Sequence, residues 1–438
     1  MACKSAGTRI RSDYMDYKSI RRTLHMGEST ERPQDRAERE YRARIEGWST
    51  FRSGVTLRGH EVFVVNFREL AALLDTIREQ DTVVTSLWNS LPREVKHAYL
   101  NDLIGTEMLS TNGIEGVRST RKEISDALQA ARTNDSGKRF SEFAKLFLTL
   151  GDDDDKVPDI PGTLEDIRRI YDQVTAGELK DDDMPDGDLF RKGPVFIDDT
   201  ATGRRIHTGI EPESEIKVAL TQWLALAKDK SIPPLIRAAM CHFAFEYIHP
   251  FYDGNGRTGR FLCALQLRHH LCAPTTVSLS PVIYDGKDRY YKAFEEAQHP
   301  LNCCDASLFA YRMMKFVSEA QRGLIDDLVE KSRMLVAALS AYVGMEKGLD
   351  VSEQESKAMN VLIQNELFSD EPHGMTRDML CDALKVGRKK AKTITDHLEQ
   401  IGLVAHRGQR PAFYRLSDDV RRRVFDGTGK DVGEWQRA

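Results

Sequence analysis

The chain has 438 residues and a formal net charge of -5; 40% of residues are hydrophobic and 30% charged. That length leaves room for two or three domains with ample core, and so slight a charge excludes a wholesale polyanion binder. No apolar run approaches the ~20 residues of a membrane-spanning helix, so no membrane partner is expected.

Met1-Ala2-Cys3-Lys4-Ser5 lacks the apolar stretch of a secretory signal. The seven cysteines are an odd number, and Cys241 and Cys263 lie in apolar helical contexts. Cys303-Cys304 are adjacent rather than spaced as metal ligands. Reduced, buried thiols in a cytoplasmic protein are expected, and no zinc site.

Residues 1–55 form a polar N-terminal extension, densest in charge from Glu31 to Glu40, expected to be partly helical or mobile. A main domain is expected over 56–345. Helical patterns run from Phe63 to Leu109 and end at Ser110-Thr111-Asn112-Gly113-Ile114-Glu115-Gly116. By itself that stretch reads as an ordinary helix end, with Gly116 as cap, Ile114 packed inward and Glu115 solvated. Gly113 is unusual inside a helix, where it costs ~1 kcal/mol relative to Ala.

Asp152 to Asp155 form an acidic loop before Pro158, and Asp181 to Asp188 lead into a β-hairpin over Gly193 to Gly209. Short β-prone runs there flank a polar tip, and His207 reads as a hairpin or core residue. Helices dominate again from Glu213 to about Val343. Ile232-Pro233-Pro234 marks a helix start, and Leu235 to Ile248 reads as a buried helix.

After that helix comes His249-Pro250-Phe251-Tyr252-Asp253-Gly254-Asn255-Gly256-Arg257-Thr258-Gly259-Arg260. Each residue type suits one task in handling a nucleoside triphosphate. His249 can accept a proton near neutral pH. Asp253 is a hard oxygen ligand of the kind Mg²⁺ prefers while it bridges phosphates. Gly254 and Gly256 let backbone amides close on an anion. Arg257 and Arg260, three apart, share a helix face and offer guanidinium forks to phosphate oxygens. The next residues look helical, so Gly254 to Arg257 would be a helix N-terminus with its orphan amides facing the anion.

This stretch resembles, without mismatch, the Fic family signature His-x-Phe-x-Asp-Gly-Asn-Gly-Arg-x-x-Arg. The resemblance implies a transferase that moves AMP from ATP onto a Ser, Thr or Tyr hydroxyl of a protein, itself included. On it, His249 is the general base, Phe251 the loop's core anchor and Asp253 the Mg²⁺ ligand. Gly254, Asn255 and Gly256 cradle phosphate oxygens, and Arg257 and Arg260 hold the β- and γ-phosphates. Thr111, Glu115 and Gly116 fit the same family's inhibitory pattern. That implies a Glu115–Arg260 pair in the place of the γ-phosphate, and an enzyme silent until it is broken. The Gly193–Gly209 hairpin occupies the place of the family's target-clamping flap, a plain structural hairpin being an equal reading. The segment Lys287 to Phe294 resembles the one whose aromatic contacts the adenine side, which makes Tyr290 or Tyr291 the nucleotide contact unless both are packing residues. Family members also dimerise, so a homodimer is a candidate assembly.

A separate module is expected over 350–420, followed by a tail over 421–438. Helices are read at Lys357–Leu367, Thr376–Leu384 and Arg388–Ile401, then a strand, turn and strand over Gly402–Leu416. Three helices and a wing resemble a winged helix-turn-helix domain. Lys385 to Arg415 hold eight Lys/Arg against two Asp/Glu. Arg388, Lys389, Lys390 and Lys392 open the third helix, where recognition helices meet DNA. A protein-interaction module is the alternative.

The expected fold is therefore mainly α: a Fic-type helical core with one β-hairpin, then a winged-helix domain. The expected function is an autoinhibited protein AMP-transferase using Mg²⁺-ATP. Two alternatives stand beside it. One is removal of AMP, or transfer of another phosphate-containing group, on the same fold. The other is a DNA-binding regulator whose Fic part senses nucleotide.

Overall fold

The computed structural model describes residues 16–26, 30–133, 135, 137–152, 157–198, 205–368, 374–409, 411–426 and 428. The chain divides into two compact units: 1–77, 159–270 and 285–317 in one, and 78–158, 271–284 and 318–438 in the other. Both are mainly helical, as the sequence leads one to expect. The long helices Arg68–Ser90 and Ser307–Glu346 each have residues in both units. No described helix is long and apolar enough to cross a membrane.

In the first unit, the polar N-terminal segment carries helices Ile20–Leu24 and Pro33–Ile45. Their Ile20, Leu24, Ala37 and Ile45 pack with Phe63 and Cys303 into a small core. Thr50–Leu57 and His60–Val65 pair as an antiparallel hairpin. Arg58 (φ 47°) and Gly59 (φ 89°) supply the left-handed backbone that a two-residue hairpin turn demands. The helical reading from Phe63 thus begins too early: Phe63, Val64 and Val65 are strand residues, and helix resumes at Arg68. An aromatic beside two β-branched residues prefers the pleated surface.

The middle of this unit is the helix Pro234–Ile248, buried at every position from Leu235 onward. Pro234 opens it at a position where the missing N–H costs nothing. Glu213–Lys228 packs beside it, and the Trp223 indole donates to the Cys241 carbonyl at 2.7 Å. Asn255–Arg268 packs against it as well. Gly259 permits that approach, since a Cβ there would lie 2.1 Å from Glu246 Oε1 and 3.0 Å from Phe245 Cδ1. Helix Leu164–Val174, started by a Thr163/Asp166 capping box, lies against Asn255–Arg268.

In the second unit, Arg93–Ile114 packs against Arg121–Arg132, Ser141–Gly151 and Glu353–Phe368. Tyr99 meets Phe368 edge-on at 6.1 Å where Glu353–Phe368 packs on Arg93–Ile114. Beyond Phe368 come helices Arg377–Leu384 and Arg388–Gln400, and a three-stranded antiparallel sheet. In it Phe413–Leu416 lies between Met375–Thr376 and Val404–Arg407. The helices and the strand–turn–strand stand where the sequence puts them, with one short additional strand at Met375. Most of the expected tail beyond Asp426 lies outside the described residues.

Candidate active site

The loop His249–Gly254 joins two buried helices. His249 caps the first with left-handed backbone (φ 53°, ψ 63°). A non-glycine residue held there costs ~1–3 kcal/mol, so the surroundings must impose it. Arg191 does much of that. Its buried guanidinium donates from Nε to the His249 carbonyl (2.8 Å), from Nη1 to Gly193 O (2.6 Å) and from Nη2 to Ile210 O (2.8 Å). Backbone bonds from Arg191 N to Pro250 O (3.2 Å) and Ile210 N to Ile248 O (3.0 Å) complete the clasp. Sequence reasoning missed Arg191, because a single Arg before a Gly-Pro pair carries no recognisable signal.

His249 Nδ1 lies 3.2 Å from the Glu246 carbonyl oxygen. A carbonyl only accepts, so Nδ1 carries the hydrogen and Nε2 keeps its lone pair. Burial pushes the imidazole pKa down to about 4, aided by the Arg191 charge and opposed by Glu246 O and Asp253. At neutral pH this is an oriented, uncharged base.

Phe251 is fully buried and stacks on Tyr171 at 3.5 Å with an interplanar angle of 9°. Its expected anchoring role thus has a named partner. Asn255 accepts from Phe251 N–H (2.9 Å) on Oδ1 and donates from Nδ2 to Phe251 O (2.8 Å). Its carboxamide is therefore occupied in closing the loop, and its backbone amide is the part at the helix mouth. Gly254 (φ 78°) is the N-cap of Asn255–Arg268, and a Cβ there would lie 2.5 Å from Thr175 Cγ2. The amides of Asn255, Gly256 and Arg257 open this helix and have no carbonyl one turn back to bond. They and the helix dipole make an anion seat.

Asp253 is exposed at the loop's edge, with Oδ1 accepting the Gly254 N–H at 2.6 Å. A solvent-facing carboxylate beside an anion seat fits Mg²⁺, which takes one or two carboxylates and fills its shell with phosphate oxygens and water. Arg257 is held by Glu178 at 2.8 Å, and Arg260 is buried on the same helix. Tyr252 OH accepts from Gly193 N–H (2.8 Å) and donates to Asp186 (3.0 Å), tying the loop to the entry of the hairpin.

That hairpin pairs Phe196 with Thr208 and Ile197 with His207. Phe196 and Ile197 are 43% and 36% exposed, so its first strand presents apolar side chains outward. His207 is buried, bonds the Tyr247 carbonyl through Nε2 (2.7 Å) and has its pKa lowered to about 4 by burial. The expected polar tip, residues 199–204, lies outside the described residues.

Tyr290 is buried and its hydroxyl lies 2.8 Å from His242 Nε2, while His242 Nδ1 faces Gly259 O. Tyr291 is 46% exposed, so of the two it is the one with an outward ring.

In the other unit, Thr111 is buried near the end of Arg93–Ile114, Glu115 is its exposed C-cap and Gly116 (φ 72°) turns the chain away. Val117 N–H reaches back to Asn112 O at 2.9 Å, as the expected glycine-capped helix end requires. Gly113 has a packing reason: a Cβ there would lie 2.8 Å from the Tyr284 ring. Arg388, Lys389, Lys390 and Lys392 are all exposed at the start of their helix. Arg388 pairs with Asp378 (2.8 Å) and Lys392 with Asp396 (2.6 Å).

Residues 161–267 match the Fic/DOC family model. A protein adenylyltransferase Fic of Drosophila mojavensis is 28% identical over 208 residues, 46% of this chain and 38% of the fly protein. One of Nematostella vectensis is 34% identical over 143 residues, 31% and 29% of the two chains. The chain thus spans under half the length of these curated relatives. A solved Fic family protein from Desulfovibrio desulfuricans G20 aligns with a TM-score of 0.47 and 18% identity, over 80% of this chain and 96% of that one. The segment from residue 161 to residue 267, with the His249 loop inside it, belongs to the Fic/DOC family.

Proposed function

We propose that the chain is a protein adenylyltransferase, moving AMP from Mg²⁺-ATP onto a Ser, Thr or Tyr hydroxyl of a target protein or of itself. The observation that carries this is the His249 imidazole, its Nδ1 spent on Glu246 O so that Nε2 keeps its lone pair, on the loop that leads into the helix opened at Gly254. Transfer of a phosphorus group needs in-line positioning and charge neutralisation more than covalent help. His249 takes the hydroxyl proton as oxygen attacks the α-phosphorus, and pyrophosphate leaves. The amides of Asn255, Gly256 and Arg257 hold phosphate oxygens. Arg257 and Arg260 offset the triphosphate's charge. Asp253 would hold Mg²⁺, which would supply further neutralisation at the phosphates. Main-chain pairing along the Phe196–Asp198 edge would present the target segment with little demand on its sequence.

Glu115 inhibits this activity through Arg260 on our reading, which rests on the Thr111–Gly116 motif. The test uses α-³²P-labelled ATP and a cell lysate with the unaltered chain, Glu115→Gly, and Glu115→Gly combined with His249→Ala. Label on enzyme or lysate protein only in the Glu115→Gly sample supports both transfer and inhibition. No label in any sample moves the reading to AMP removal or to another phosphate-containing donor.

The C-terminal helices and strands support a second role, as a winged helix that touches DNA. Because Arg388 and Lys392 have carboxylate partners, Lys389 and Lys390 would carry most of the phosphate contact. Neutralising both should weaken binding in a gel shift and flatten its salt dependence. An unchanged salt slope would end this reading.

A further inference from the structure

Away from the His249 loop, three chemically different ligand groups converge from distant parts of the sequence. Glu38 comes from helix Pro33–Ile45, His60 from the first residue of a strand, and Cys303 from the turn after Pro300–Asn302. A carboxylate oxygen, an imidazole nitrogen and the thiol sulfur all lie within 4.8 Å of one another. His60 Nε2 and Glu38 Oε2 already face each other at 2.9 Å.

The backbone supplies a second, independent sign. Cys303 (φ 48°) and Cys304 (φ 58°) are consecutive non-glycine residues in left-handed conformation. Each such residue costs ~1–2 kcal/mol. Strain of this kind persists where the surroundings impose it, and it gathers at functional sites. Its consequence here is to separate the two thiols. Cys304 Sγ donates to the Leu57 carbonyl (3.7 Å), while Cys303 Sγ, which donates to the Pro300 carbonyl (3.7 Å), lies beside Glu38 and His60. Cys303 is 4% exposed and packs in the core of Ile20, Leu24, Ala37, Ile45 and Phe63. Glu38 and His60 side chains are 41% and 27% exposed, which leaves an open side for entry and for water.

We propose that Glu38, His60 and Cys303 bind a Zn²⁺ ion, with water as the fourth ligand. One thiolate and one carboxylate offset the 2+ charge, and sulfur with imidazole selects a borderline-soft metal over Mg²⁺ or Ca²⁺. Zinc bonds of ~2.0–2.3 Å need the three groups to close by only about 1 Å. Binding exchanges the Cys303 thiol proton for the ion and releases it to water, with no change of oxidation state. The ion would pin the N-terminal helix to the hairpin and to the Cys303 turn, tying together segments more than 200 residues apart. Spacing along the chain hides this site, because no two of its ligands are near neighbours in sequence. It is independent of the nucleotide chemistry proposed above.

The test is Co²⁺ titration of the full chain after chelator stripping and dialysis. A near-ultraviolet thiolate-to-cobalt band, complete at one equivalent and abolished by added Zn²⁺, is expected. Cys303→Ser should remove the band, His60→Gln should weaken Co²⁺ binding at least about tenfold, and Cys304→Ser should leave both unchanged. Zn²⁺ should raise the melting temperature of the unaltered chain and not that of Cys303→Ser. A band that survives in Cys303→Ser, or none in the unaltered chain, overturns the proposal. Should Cys303→Ser not fold, the less buried His60→Gln decides, and unchanged affinity there overturns it equally.

Discussion

Arg257 and Glu178 form an ion pair at 2.8 Å in which neither side chain is more than 5% exposed. Glu178 follows Gly177 (φ 75°) in the turn after helix Leu164–Val174, and its amide bonds Thr175 O at 3.1 Å. That turn therefore sets where the Arg257 guanidinium of the loop helix points. Arg257 Nε is buried with no hydrogen-bond partner among the described residues, so the Glu178 contact matters the more.

Removing one partner of a buried pair leaves an uncompensated charge, at ~3–5 kcal/mol. Glu178→Ala should lower the urea-unfolding free energy by about that amount. Glu178→Gln keeps an acceptor and should lose less. In the Glu115→Gly background, AMP labelling should fall in the same order. Full stability in Glu178→Ala would show that the pair contributes little.

Arg191 holds three carbonyls from three segments, two of them at the end of the helix that carries His249 and in the strand exit. A guanidinium has a rigid fork of donors, while Lys offers one compact charge. Arg191→Lys should therefore fail to restore what Arg191→Ala loses. Hydrogen bonds to charged groups contribute ~1.5–3 kcal/mol each, so both variants should unfold at clearly lower denaturant. Labelling by Glu115→Gly should drop with either change, since His249 would lose its imposed backbone. Labelling that survives Arg191→Ala would mean the loop holds itself.

The loop and its two helices were legible because their types and spacing are dictated locally. An apolar run makes the helix Pro234–Ile248, and Gly254 marks the N-cap. Two side-chain contacts were not legible. Asn255 bonds Phe251 rather than offering its carboxamide outward, and Tyr290 is a buried partner of His242. Both depend on which way a side chain turns, which spacing does not encode. Arg191, Glu178 and the Glu38–His60–Cys303 cluster were invisible for another reason. Each acts on residues dozens to hundreds of positions away, and long-range contacts leave no periodicity. The first hairpin was read as helix from Phe63 because a short two-sided strand has no clean alternation.

Two buried histidines, His207 and His242, and the part-buried His249 set the response to acid. Burial lowers the pKa of His207 to about 4, of His242 to about 3 and of His249 to about 4. In the unfolded chain each returns to ~6.5. Between those values the unfolded state binds more protons, so stability is full above ~6.5 and is lost as pH falls toward 4. His207→Gln should reduce the steepness of that loss, which urea titrations at pH 7 and pH 5 would reveal. The same shift keeps His249 proton-free as a base. The acid limb of kcat/KM for AMP transfer should lie below pH 6.5, and a limb above it would argue against His249 as the base.

Gly254 is constrained twice, by its φ of 78° and by Thr175 Cγ2 at 2.5 Å from where a Cβ would sit. The two constraints separate experimentally. Gly254→Ala carries both penalties, the backbone part alone being ~1–2 kcal/mol. Thr175→Ser removes the methyl but keeps the hydroxyl that donates to Tyr171 O (2.8 Å). Added to Gly254→Ala, it should return the steric part of the loss and leave the conformational part. Residues in contact couple by ~0.5–3 kcal/mol, so a double-mutant cycle in urea resolves this. Simple additivity would place the whole cost in the backbone and none in the Thr175 contact. Either way the anion seat loses its shape, because a shifted Gly254 moves the first amides of the helix. AMP labelling in the Glu115→Gly background should therefore recover less than stability does when Thr175→Ser is added.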